Sequence, residues 1–149
     1  MQQAIDLSVE NVQNGGGPFG ALIVRDGEVV ATGVNRVTAN CDPTAHAEVS
    51  AIRAACQRVG SFSLKGCTIY TSCEPCPMCL AAIYWAGIDR IYYGNTKEDA
   101  ERIHFGDKFI YEELGRRPSE RSVPAVMLMR EQALRAFREW EAKADKIEY

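Results

Sequence analysis

A chain of 149 residues with 46% hydrophobic residues, 25% charged residues and a net charge of −3 has the composition of one soluble globular domain, long enough to bury a sizeable core. The lack of a basic excess counts against nucleic acid as a partner, and no apolar run approaches the roughly 18 residues of a membrane span. The opening MQQAIDLSVENVQ has neither the basic nor the unbroken apolar stretch of a signal peptide, so a cytoplasmic protein with reduced thiols is expected.

Apolar positions at Ala4, Ile5, Leu7, Val9 and Val12 predict a helix over residues 2–12, stopped by NGGG at 14–17. PFGALIVRDGEVVATGVN reads as two strands joined at Asp26-Gly27, a strong hairpin signal. Asp42 or Thr44 can cap a second helix that runs to about Gly60, with Pro43 in its first turn. GCTIYTS (66–72) predicts a buried strand, PMCLAAIYWA (77–86) a short apolar helix and DRIYYGN (89–95) another strand. Polar residues 96–122 mix helix and loop, VPAVMLM (123–129) suggests a last strand, and residues 131–144 read as helix. A hairpin followed by strand–helix–strand units implies an α/β fold, with a mixed central sheet and helices on its faces. Sites in such sheets form at strand ends and helix N-termini.

Three of the six cysteines fall within CEPCPMC at 73–79. Cys76 and Cys79 share one face of a helix start, so both sulfurs can reach one ion, and the helix N-terminus favours the thiolate a metal needs. A CxxC pair alone is ambiguous between half a structural zinc site, a redox pair and two core cysteines. No separate CxxC stands elsewhere, which counts against a four-cysteine site. His46, one of two histidines, supplies the missing ligand type. Glu48 lies two residues on, and the two converge only on a target in front of the helix end. One histidine and two cysteines leave zinc's fourth position open to water, the mark of a catalytic site, with Glu48 placed to move the water's proton. Cys73 precedes the helix, and a fourth thiolate would close the site, so it is read as a non-ligand. Cys41, Cys56 and Cys67 are read as core or loop residues, and His104 has no ligand partner at metal spacing.

His46-Ala47-Glu48 followed by Pro75-Cys76-Pro77-Met78-Cys79 resembles the H-x-E…P-C-x-x-C signature of zinc nucleobase deaminases. The resemblance extends to the bacterial guanine deaminases through GGPFGALIV (16–24), DPTAHAEVSAIRAAC (42–56), YTSCEPCPMCLAAIYWA (70–86), DKFIYEE (107–113) and the closing EY. It implies a single domain over 1–149 with the three-layer α-β-α cytidine-deaminase-like fold, a bound Zn2+, and hydrolysis of guanine to xanthine and ammonia. It also implies a purine pocket that draws on Phe19, Asn35, Ala47, Trp85, Asp107 and Tyr149. Phe19 and Trp85 suit an aromatic wall, Asn35 matches a base-reading asparagine, and Asp107 a carboxylate near the substrate; core packing, a strand-end turn and a helix cap are their ordinary alternatives. Cys41 stands where asparagine is expected before the DP. The resemblance further implies a homodimer that exchanges residues 131–149, so that Tyr149 reaches the partner's pocket.

Three other readings share the signature or the fold: a tRNA adenosine deaminase, a cytidine or cytosine deaminase, and a non-catalytic zinc module. The first needs a basic surface, yet Arg116, Arg117 and Arg121 are interleaved with Glu112, Glu113 and Glu120. The last has no use for a free carboxylate at Glu48.

Overall fold

The computed structural model describes residues 1–148. Helix α1 (Gln2–Gln13) leads into a hairpin of β1 (Gly20–Arg25) and β2 (Glu28–Val34). The turn residues Asp26 and Gly27 both take positive φ, 51° and 82°, as a two-residue hairpin turn requires. A short helix α2 (Val37–Asn40), α3 (Ala47–Val59), β3 (Cys67–Cys73), α4 (Pro77–Ala86) and β4 (Arg90–Asn95) follow, then α5 (Lys97–Arg102). Among the described residues the sheet has the order β2-β1-β3-β4, antiparallel except between β3 and β4. This is the mixed sheet expected from the sequence.

Strand alternation sends successive β1 side chains to opposite faces, and two glycines show how closely each face is covered. A Cβ on Gly20 would lie 2.6 Å from the Ala4 carbonyl oxygen in α1. Gly33, the cross-strand neighbour of Ala21, faces the other way, and a Cβ there would lie 2.3 Å from the Ala47 carbonyl oxygen and 2.4 Å from the Ala51 nitrogen in α3. Helix α1 therefore lies on one face and α3 on the other, which gives three layers. On the α3 side, Ala21, Ile23, Ala51, Ala55, Leu64, Ile69 and Ile83 form the buried core, and Ile83 brings α4 onto the same face.

Two expectations change. The second long helix starts at Ala47, not near Asp42. Asp42 Oδ1 instead accepts the Thr44 backbone N–H at 2.8 Å and its hydroxyl at 2.7 Å, a local turn that holds the chain extended up to His46. Residues 124–129 form no strand, because among the described residues they have no ladder partner; Val126, Met127, Leu128 and Met129 are 69–79% exposed. The pattern of apolar residues reports strand tendency and cannot name a partner.

The chain divides into two compact units, residues 1–108 and residues from 109 onward. The second holds most of α6 (Lys108–Gly115), a 3-10 turn (Pro118–Glu120) and α7 (Arg130–Ala142). Its loop is tied by Glu113, whose carboxylate accepts the Ser122 backbone N–H at 2.6 Å and hydroxyl at 2.8 Å. Helix α7 matches the predicted terminal helix and buries none of its residues. Tyr149 lies outside the described residues.

Candidate active site

Two helix N-termini supply the central groups. His46 is the N-cap of α3, with extended backbone (φ −70°, ψ 159°), and Glu48 sits in that helix's first turn. Cys76 is the N-cap of α4 with similar backbone (φ −65°, ψ 168°), Pro77 pre-sets the first helical φ, and the Cys79 N–H donates to Cys76 Sγ at 3.5 Å. Extended backbone at both caps lets side chains one turn apart point off the helix ends towards a common point. His46 Nδ1 is 3.6 Å from Cys76 Sγ and 3.5 Å from Cys79 Sγ.

These separations test whether a metal fits. Zinc bonds of about 2.3 Å to sulfur and about 2.0–2.1 Å to nitrogen, at tetrahedral angles, set N···S edges of about 3.5–3.6 Å. The observed edges agree, and all three ligand atoms lie within 4.8 Å of one another. The Cys79 side chain beside it lowers the Cys76 thiol to about 4; burial opposes the shift and His46 reinforces it. Cys79 shifts the other way, chiefly because its thiol keeps its proton in a hydrogen bond to the Cys76 sulfur, and also because it is buried. His46 is raised, chiefly by its bond to Cys76. One thiolate thus stands ready without a metal, and a divalent cation would stabilise the second.

Glu48 is 5% exposed. Its Oε2 accepts from Cys79 Sγ at 3.3 Å and its Oε1 accepts the Thr71 hydroxyl at 3.1 Å. Burial raises its carboxyl above the usual range, which suits a group that must both take and give a proton near neutral pH. Cys73 ends β3, points its Sγ to the Thr96 carbonyl at 3.6 Å, and is pushed up to about 11 by burial. It stands outside the ligand cluster among the described residues, as expected.

In front of these groups opens a cavity of about 430 Å³, lined among others by Phe19, Asn35, His46, Glu48, Cys76 and Asp107. Such a volume suits a flat base. Phe19 meets Phe105 edge to face at 5.1 Å. Asn35 is buried, and its Oδ1 accepts the Val37 N–H at 3.3 Å, so its NH2 end is the one that can face the cavity. One Asp107 carboxylate oxygen is buried without a protein partner, and burial raises that carboxyl.

Two expected pocket residues are not on this wall. The Ala47 side chain is fully buried in the core under the sheet, because the residue between His46 and Glu48 on a helix end must face inward. Trp85 is 72% exposed on α4 and does not line the cavity of its own chain. His104 is exposed, with φ 67°. Cys41 is also exposed, at φ 49°, a backbone that asparagine tolerates more readily than cysteine. Thr71 was not foreseen. Its signal was a polar Thr71-Ser72 pair inside an otherwise buried strand, where each hydroxyl needs a partner.

Residues 1–95 match the family described as the cytidine and deoxycytidylate deaminase zinc-binding region. The chain belongs to this family. It is 47% identical to the guanine deaminase of Bacillus subtilis (strain 168), over 100% of this chain and 96% of the relative. An X-ray structure of guanine deaminase from Bacillus subtilis superposes with a TM-score of 0.97 at 48% identity, covering 99% of this chain and 95% of the other. A tRNA-specific adenosine deaminase of Agrobacterium fabrum is 44% identical over 62% of this chain and 60% of its own. The fold is therefore the cytidine-deaminase-like one, and within the matched zinc-binding region His46, Cys76 and Cys79 form a group that could hold the ion.

Proposed function

We propose that this chain is a zinc-dependent aminohydrolase that converts guanine and water to xanthine and ammonia. The observation that carries the reading is 47% identity to a guanine deaminase along the whole chain, where the 44% identity to the Agrobacterium fabrum tRNA-specific enzyme spans about three-fifths of it. His46, Cys76 and Cys79 would hold the zinc, which would supply a Lewis acid that makes the attacking water more acidic. Glu48 moves the protons. It takes one from the water that adds to C2 of the base and delivers it to ring N3. It then carries the second from the new hydroxyl to the amine, the C2–N bond breaks, and ammonia leaves. Thr71 fixes the carboxylate that makes both transfers. Phe19 offers an aromatic wall, and Asn35 and Asp107 offer polar anchors for the purine edge.

The single domain spans the chain and works in the cytoplasm, in purine breakdown, as a homodimer. Residues 131–149 pack on the partner subunit, and Tyr149 helps close the partner's pocket. Support comes from both units. Strand β4 is a sheet edge with Tyr92 and Tyr93 exposed, and the second unit leaves Val126 to Met129 and α7 uncovered. Exchange of identical segments covers such surfaces without new sequence.

Ammonia release from guanine, adenosine, cytidine, cytosine and a tRNA anticodon arm, measured on one zinc-loaded sample, tests the function. Turnover of guanine above all others is expected. Faster release from the tRNA arm or from a pyrimidine overturns the assignment.

A further inference from the structure

Asn11 lies on α1 and reaches the pocket only through other residues. It is 4% exposed, although α1 is otherwise a surface helix with several exposed residues. Both amide hydrogens are spent on backbone carbonyls: Asn11 Nδ2 donates to the Gly17 carbonyl at 2.7 Å and to the Asn35 carbonyl at 2.9 Å. The Asn11 backbone carbonyl accepts the Gly16 N–H at 2.8 Å. Gly16, Gly17 and Asn35 all line the cavity. One side chain thus ties two strips of pocket wall, one just before β1 and one just after β2 at the open end of the hairpin, to a helix behind them.

The loop is shaped around this amide. A Cβ on Gly16 would lie 2.4 Å from Asn11 Nδ2, and one on Gly17 would lie 3.1 Å from the Asn35 side chain. Two carbonyls facing one point call for a group with two donors and no charge. Aspartate has the right shape but no donor, and it would set a carboxylate against both oxygens.

We propose that Asn11 is a positioning residue for base recognition: it holds the Asn35 backbone and the Gly16–Gly17 strip at the spacing that lets the Asn35 amide meet the purine edge. The proposal rests on the purine deaminase reading above. Asn11 touches neither the zinc ligands nor Glu48, so its loss weakens binding of the base in the ground and transition states alike. That pattern raises KM and leaves kcat in place.

The test measures guanine kinetics, zinc content and thermal unfolding for Asn11→Ala, Asn11→Asp and Gly16→Ala, and for Gly16→Ala in the Asn11→Ala background. Guanine affinity is read separately by equilibrium dialysis on Glu48→Gln protein with and without Asn11→Ala. Asn11→Ala and Asn11→Asp are expected to keep one zinc per chain, to raise KM and the dialysis Kd at least about tenfold, and to leave kcat within about threefold. Gly16→Ala, which pushes the amide aside, should raise KM in the wild type and add little once Asn11 is alanine, where space has been freed. Unchanged KM, a fall in kcat at constant KM, or full additivity of the Gly16 and Asn11 changes overturns the proposal. If Asn11→Ala proves insoluble, Asn11→Ser, which keeps one donor, is held to the same criterion. Wild-type protein that ignores guanine defeats the functional reading and not this one, because any base the wild type does turn over then replaces guanine in the same measurements.

Discussion

Residues 1–108 and residues 109–148 solve opposite problems. In the first unit, Ile23, Leu64, Ile69, Ile83 and Cys79 of the candidate metal cluster are at most 2% exposed, and the candidate site sits on two helix ends packed against one sheet. In the second, Val123, Val126, Met127, Leu128, Met129 and Phe137 are 69–81% exposed, and no residue of α7 is buried. His46, Glu48, Cys76 and Cys79 are thus brought together by packing within the first unit. The second unit leaves these apolar side chains exposed, and fully burying each would be worth about 1.5–3 kcal/mol.

The largest expected effect lies in the first unit. Glu48→Gln keeps size and hydrogen bonding but cannot carry a proton, so turnover should fall by at least about 100-fold with one zinc per chain retained. Near-normal rates would remove Glu48 from the mechanism. The matching challenge to the second unit is Val126→Ser with Leu128→Ser. In the proposed dimer both side chains would be buried, so their loss should weaken it at least about 100-fold, seen by sedimentation, while zinc content stays normal. Deleting residues 145–149 should leave the zinc in place and cut guanine turnover sharply. A tight dimer in the first case, or unchanged kinetics in the second, would show that the second unit covers nothing of catalytic value.

Smaller effects separate helix placement from carboxylate placement within the first unit. Gly33→Ala drives a methyl into the backbone of α3, so α3 must shift and stability should drop by about 1–3 kcal/mol. Calorimetry should show a Tm lower by about 2–4 °C for each kcal/mol. Thr71→Val keeps the shape and removes the hydroxyl held 3.1 Å from Glu48. It should lower kcat at least about tenfold with little change in KM, the signature of an interaction that matters at the transition state. An equal rise in KM would instead place Thr71 in base binding. Cys73→Ala should change least: elemental analysis should still find one zinc per chain, and loss of the metal would make the site a closed four-ligand one.

The sequence by itself determined the candidate donor set and most of the sheet. Cys76 and Cys79 at helix spacing, His46 and Glu48 two apart before a helix, and Asp26-Gly27 between alternating strands are local patterns, and local patterns are what a sequence states directly. It could not place the start of α3, because Asp42 serves a turn as readily as a cap and only the packing of Ala47 and Ala51 on Gly33 selects between them. Thr71 and Asn11 were hidden for a related reason. Each acts through a partner 23 or 24 residues away, and a contact at that separation exists only once the sheet has brought the strands together. Trp85 shows the reverse case: an aromatic beside the zinc motif looks like pocket wall in one dimension, but 3.6 residues per turn carry it to the exposed side of α4. Residue types fixed which chemistry was possible; the tertiary structure decided which residues meet, because distance along the chain does not set distance in space.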